Sequence, residues 1–232
     1  MKTFSAAMRT FALTTFTAAS FTFAAASHAL TPFSATYQFT YGNKTMGDAT
    51  RKLSQQGNLW QYQFSSRIPV IGSATETSKF GFSQGQIQSV SYQRQTKILV
   101  HNDVVNMNFK PQQKQIQTSR KGTSRVLTWQ NGVLDDLNAE LQVREDLKQG
   151  GLKSSYLIAD YKEVEARHFV KEGSEKIKAA DGKSYDTVKI RLKHDRANKN
   201  TIFWLAPSLD YLPVKVTHQD GDQSYGLLLK AH

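Results

Sequence analysis

The stretch Trp60-Gln61-Tyr62-Gln63-Phe64 alternates aromatic and polar side chains without a break. Successive side chains of a strand point to opposite faces, so three rings share one face and two amides the other. This predicts a strand with one buried side. The same period recurs on both sides of it. Tyr37, Phe39 and Tyr41 alternate with Gln38 and Thr40, and Phe80 and Phe82 flank Gly81. Val105, Met107 and Phe109 alternate with Asn106 and Asn108. Turn pairs separate these runs: Gly42-Asn43, Gly57-Asn58, Gln84-Gly85 and Asn131-Gly132. Strands joined by short turns predict an antiparallel meander.

One segment breaks the period. Around Asp135 to Gln149, Leu134, Leu137, Leu141 and, less regularly, Leu147 form an apolar stripe. Asp135 and Asp136 stand at its start, where carboxylates cap free N–H groups, and Gly150-Gly151 ends it. The β pattern then resumes. Val188, Ile190 and Leu192 alternate with Lys189 and Arg191, after a hairpin pair at Asp181-Gly182. Thr201 to Leu205 reads as a strand closed by Pro207, Val214 and Val216 as the next, and Asp220-Gly221 turns into Tyr225 to Leu229. The expected fold class is mainly β: an antiparallel curved sheet or partly open β-barrel with one central amphipathic helix. The helix is expected to pack on the sheet or plug its open end.

The chain has 232 residues, 30 Lys and Arg, 19 Asp and Glu, and no Cys. Zero Cys excludes disulfide staples, thiol nucleophiles and thiolate metal sites, and offers no thiol for lipid anchoring. Residues 1–29 read as a signal peptide: Lys2 and Arg9 lead an uncharged run from Thr10 to Ala26, and Ser27-His28-Ala29 supplies small residues at the cleavage site. Cleavage is expected after Ala29, leaving residues 30–232 as a single periplasmic β-rich domain, secreted and not integral to the membrane. Lys2 and Arg9 contribute two of the +11 formal charge, leaving +9.

The C-terminal stretch is the most distinctive: Thr201-Ile-Phe-Trp204-Leu-Ala-Pro207-Ser-Leu-Asp-Tyr-Leu-Pro213-Val-Lys-Val. With the early Tyr37 to Gly47 hairpin and the central helix, it resembles an exported bacterial family catalogued as domain of unknown function 3108 (DUF3108). The resemblance spans essentially the chain after residue 29 and implies a periplasmic, mostly β protein. It carries over no catalytic residue. Read physically, the motif is a hairpin. Pro207 ends a strand because it cannot donate to a ladder, and Pro213 opens the next.

No reaction motif is present. There is no Gly-x-Ser-x-Gly elbow, no His-Glu-x-x-His and no phosphate loop. His101, His168, His194, His218 and His232 are scattered, and Glu165, His168 and Glu172 have roughly helical spacing in a segment rich in both charges. Asp135 and Asp136 are explained by capping rather than as a glycosidase pair. No enzyme, cofactor or metal is expected, and a hydrolase assembled in space ranks last.

Two features point to binding. An aromatic-rich curved sheet can enclose a cavity, and its expected lining is Trp60, Phe64, Phe80, Phe82 and Trp129. Between Val90 and Gln130, Arg94, Lys97, Lys110, Lys114, Arg120, Lys121 and Arg125 face only one acid, Asp103. They predict a basic stripe suited to anionic lipid, lipopolysaccharide, acidic glycan or an acidic envelope protein, and not to nucleic acid. The expected function is a non-enzymatic periplasmic protein that binds or carries an apolar or anionic cell-envelope component. The alternative is a structural or assembly partner acting through a sheet edge or the basic stripe.

Overall fold

The computed structural model describes residues 29–42 and 44–232. The expected signal segment lies outside the described residues apart from Ala29, as does Asn43 of the first turn pair. Eight strands precede the helix: β1 (Phe33–Tyr41), β2 (Lys44–Gln56), β3 (Leu59–Ile68), β4 (Gly72–Ser83), β5 (Gln86–Ile98), β6 (His101–Lys110), β7 (Gln115–Arg120) and β8 (Thr123–Thr128). The helix α1 (Asp136–Lys148) follows. Then come β9 (Tyr156–Ala159), β10 (Val164–Arg167), β11 (Phe169–Lys178), β12 (Ser184–Leu192), β13 (Lys199–Ala206), β14 (Leu212–Asp220) and β15 (Gln223–Ala231).

Thirteen strands form one antiparallel sheet in the order β11-β12-β13-β14-β15-β1-β2-β3-β4-β5-β6-β7-β8, and β9 pairs with β10. The sheet is therefore two meanders, joined where β1 pairs with β15 from Thr36 opposite Ala231 to Tyr41 opposite Tyr225. It is not closed: β8 and β11 are its edges. Twist makes so long a sheet curl, and here it curls around α1.

The segment around Glu165, His168 and Glu172 is extended, as β10 and β11. Its helix-like spacing therefore gathers nothing: β-branched and aromatic Val164, Phe169 and Val170 pair into ladders instead. Glu172 bonds Arg191 across the β11–β12 pair, and Glu165 lies beside Arg167.

The helix begins where its residues predict. The Asp135 side chain accepts from the Asn138 N–H at 3.0 Å, and Lys148 stands in the last turn. Its environment differs from that of a surface helix. Leu137 and Leu141 enter the core, but Asn138, Glu140, Gln142, Arg144, Glu145 and Asp146 are buried as well. The sheet wraps the polar face, so strands answer it in place of water. Glu140 pairs with Arg51 of β2 and accepts from the Tyr62 hydroxyl of β3 at 2.9 Å. Asp135 accepts from Ser78 of β4 and Ser89 of β5. Gln142 donates to the Gly85 carbonyl and accepts from the Ile87 N–H. Arg144 donates to the Asp210 carbonyl between β13 and β14, and Tyr156 of β9 donates to Asp146.

These contacts also orient the helix. Ser78 lies well inside β4, whereas Gly85 is the β4–β5 turn. So α1 runs from the middle of the curl to the end carrying the β2–β3 and β4–β5 turns. The opposite half, ringed by the β1–β2, β3–β4, β5–β6 and β14–β15 turns, is not filled by it.

The Arg51–Glu140 pair has only 7% and 9% of its side chains exposed. Removing one partner of such a pair strands a buried charge, at a cost of roughly 3–5 kcal/mol. Glu140→Leu is expected to destabilise the protein by about that much in urea unfolding. Combining it with Arg51→Met is expected to restore most of the loss, because an apolar pair of similar volume replaces both charges.

Candidate functional site

The unfilled half of the curl holds a cavity of about 420 Å³. Its walls follow from strand alternation. The residues inward of Phe64 on β3 are Ser66 and Ile68, and those paired with them on β4 are Glu76, Ala74 and Gly72. Thr96 and Ile98 continue the wall on β5. Across the opening stand Phe39 of β1, Val216 and His218 of β14, and Tyr225 and Leu227 of β15. Ile71 lies at the mouth. The wall needs close backbone packing at Gly72, where a Cβ would come within 2.1 Å of the Lys97 carbonyl oxygen.

Polar groups collect on the inner wall and on the helix start beside it. Tyr92 donates to Glu76 at 2.6 Å. Burial raises the Glu76 carboxyl above its ordinary range, and the Tyr92 hydroxyl pulls it partway back. Asp136, at the start of α1, meets Arg167 at 3.2 Å. Asp135 beside it is fully enclosed, and burial pushes its carboxyl to about 7 against the bonds from Ser78, Asn138 and Ser89. On the opposite wall, the Thr201 hydroxyl bridges His194 Nε2 at 2.9 Å and His218 Nδ1 at 2.8 Å. His218 also stacks on Tyr225, with ring centroids 6.1 Å apart. One hydroxyl can donate to only one ring, so the other imidazole must donate to it. The chain is a built polar patch on an apolar wall. It can orient a polar group.

The aromatics expected to line a cavity are separated by the structure. Phe64 does line it. Trp60 and Phe80 are buried in the core cluster that also holds α1, and Phe82 packs against that cluster. Trp129 borders a different cleft of about 670 Å³ beside the β4–β5 turn, with Gln142 and Tyr156. The helix causes the split: it fills the part of the curl that Trp60 and Phe80 face.

The basic residues do not form one stripe. Lys114 and Lys121 lie at opposite ends of β7, about 20 Å apart at strand rise. Arg120 is engaged by Asp103 at 2.8 Å and sits over the Tyr161 ring, and Arg125 is at the edge on β8. Lys97 is exposed at the end of β5, while Arg94 and Lys110 are half-buried. The period-two geometry that makes strands also divides a run of charge between two faces. The lining residues missed by sequence reading include Phe39, Glu76, Ile98, Val216, His218, Tyr225 and Leu227. Tyr225 and Leu227 carry the strand alternation, but only the β1–β15 pairing brings them opposite Phe39.

His101 is exposed at the β5–β6 turn, and His168 Nδ1 lies 2.7 Å from the Ser154 carbonyl oxygen. Among the described residues, no helix is long and apolar enough to cross a membrane.

The family model for DUF3108, a protein of unknown function, matches residues 36–230, and the chain belongs to that family. The fold is similar to a solved structure from Brucella abortus described as a beta-barrel-like protein of domain of unknown function DUF1849. The TM-score is 0.54 at 12% identity, covering 86% of this chain and 96% of that one. No curated protein matches.

The histidine chain has a pH signature. Burial, with Lys199, His218 and Arg167 nearby, lowers His194 from 6.5 to about 4. The folded state therefore binds fewer protons than the unfolded state between those values. Stability from this group is full above 6.5 and is lost as pH falls towards 4. Thermal unfolding across that window is expected to show a steeper acid loss in the parent than in His194→Gln. Parallel curves would remove His194 from the account.

Proposed function

We propose that this protein is a non-enzymatic binding protein of the periplasm that holds an apolar or amphipathic envelope component in the cavity above α1. The observation that carries the reading is the cavity itself. Its volume of about 420 Å³ falls within the usual range for small-molecule sites, roughly 300–1,000 Å³. Phe39, Phe64, Ile68, Ile98, Val216 and Leu227 offer an apolar wall, and Glu76 and His218 offer two polar contacts. That mixture suits an acyl or prenyl chain with a polar end. An apolar chain that enters such a cavity takes its own surface and the surface of the wall out of water, which favours binding. The signal-like N-terminal segment supports export, and the sequence carries neither a Gly-x-Ser-x-Gly elbow nor a His-Glu-x-x-His pair.

A second reading has its own observation. Five of the six residues of edge strand β8 are exposed, including Val126 at 61%. An unpaired strand edge can accept a partner's strand through main-chain bonds. The other edge, β11, is interrupted by a bulge at Gly173 and carries Lys171, Glu172, Glu175 and Lys176, which discourage such pairing. An assembly role would therefore run through β8.

Ala74→Trp places an indole in the cavity without touching the core. It is expected to weaken uptake of a fluorescent long-chain fatty acid at least tenfold while leaving the urea midpoint nearly unchanged. Undiminished uptake in that variant would place the ligand elsewhere or remove it.

A further inference from the structure

We propose that the two hairpin tips at the cavity mouth insert into the surface of an anionic lipid bilayer. The proposal rests on the cavity reading above and deepens it, since it names the place from which an amphipathic ligand would enter.

The tips are Pro69-Val70-Ile71, between β3 and β4, and Leu99-Val100, between β5 and β6. They are held side by side: the Leu99 N–H donates to the Ile71 carbonyl at 2.9 Å. Their side chains face solvent, with Val70 98% exposed, Val100 92% and Leu99 75%. The other short turns are built differently. Gly57-Asn58, Gln84-Gly85, Lys121-Gly122 and Gly221-Asp222 use glycine with a polar partner, as hairpins in water ordinarily do.

The apolar tips also adopt an unfavourable backbone. Val70 has φ +67° and Leu99 φ +51°, a region that β-branched and bulky side chains rarely occupy. Strain of this kind persists where the surroundings hold it and points to use rather than to packing. Here the residues gain no internal contact in return.

The patch is continuous with the cavity. Ile71 and Ile98 line it and are still 40% and 48% exposed. Charge selects the occupant. Arg67 pairs in register with Ser73, and Ser73 with Lys97, so two cations stand in one row; its one acid, Asp48 opposite Arg67, is engaged by Lys230 at 2.7 Å. Both cations of the row are exposed, and neither has an ion-pair partner among the described residues. Each lies three residues behind its tip, about 10 Å at strand rise. An inserted apolar tip reaches roughly 5–10 Å into the headgroup and acyl boundary, which brings that row level with lipid phosphates. An apolar point backed by unpaired cations fits an anionic membrane better than a neutral one or an acidic protein groove.

The test is sedimentation of the purified protein with vesicles of phosphatidylethanolamine and phosphatidylglycerol, and with vesicles of phosphatidylcholine. Binding is expected to the first and to be much weaker on the second. Val70→Asp with Leu99→Asp is expected to lower binding at least tenfold. Aspartate tolerates the left-handed region better than valine, so the fold is expected to persist, as checked by circular dichroism and by uptake of a soluble fatty acid. Arg67→Glu with Lys97→Glu is expected to abolish the preference for anionic vesicles.

The proposal is overturned if the parent protein stays in the supernatant, or if the tip variant binds as the parent does. It is overturned equally if the tip substitutions turn a dimer into a monomer and leave vesicle binding unchanged; the patch is then a contact between copies. Vesicle binding that depends on the tips, in a protein that takes up no fatty acid, supports the docking surface and sinks the cavity reading alone.

Discussion

A polar helix inside a curved sheet is the constraint from which the rest follows. Burying a charged or amide side chain without a partner costs several kcal/mol, so α1 can occupy the curl only if each polar residue is met. Arg51 and Tyr62 meet Glu140, Ser78 and Ser89 meet Asp135, and the β4–β5 turn meets Gln142. Those partners come from β2, β3, β4 and β5, so the helix fixes how four neighbouring strands curve. A slip of one residue in any of them would turn the partner to the outer face. The same set fixes where the helix starts, and hence where the empty half of the sheet begins.

That division organises the molecule. One half has a solid core of Trp60, Phe80, Met107, Ile116, Leu137 and Leu141. A second cluster, with Tyr37, Trp204, Val214 and Leu229, packs under β1 and β13–β15, and its residues Val216 and Leu227 form one wall of the cavity. Near the boundary stand Glu76, Asp135 and Asp136, carboxyls whose ionised forms burial disfavours. A gradient from apolar mouth to polar base results from ordinary folding requirements, because the base is where a capped helix must begin.

Much of this was legible in the residues. Alternation at Trp60–Phe64 and at Val105–Phe109 located strands and their buried faces, and Asp135 with Gly150 bracketed the helix to within a residue. The Trp204–Pro207–Pro213 hairpin stands as read. The cavity was not legible, for a definite reason. Alternation tells which side chains point inward but not what they meet there. Trp60 and Phe64 share a face of β3, yet Trp60 is buried in the core around the helix, whereas Phe64 packs at the border of the core and lines the cavity. Nor can charge density along a chain give charge density on a surface: Lys114 and Lys121 are close in sequence and a strand's length apart in space.

The pairing of β1 with β15 has a kinetic consequence. Thr36 finds Ala231 only after almost the whole described chain has been made. Contacts that far apart must bear a large loop-closure entropy before they contribute stability, which slows folding. Until β15 arrives, β1 presents Tyr37 and Phe39 along an unsatisfied edge, the kind of surface that recruits other unfolded chains. A protein built this way depends on being kept apart from its neighbours while its last strand is still missing.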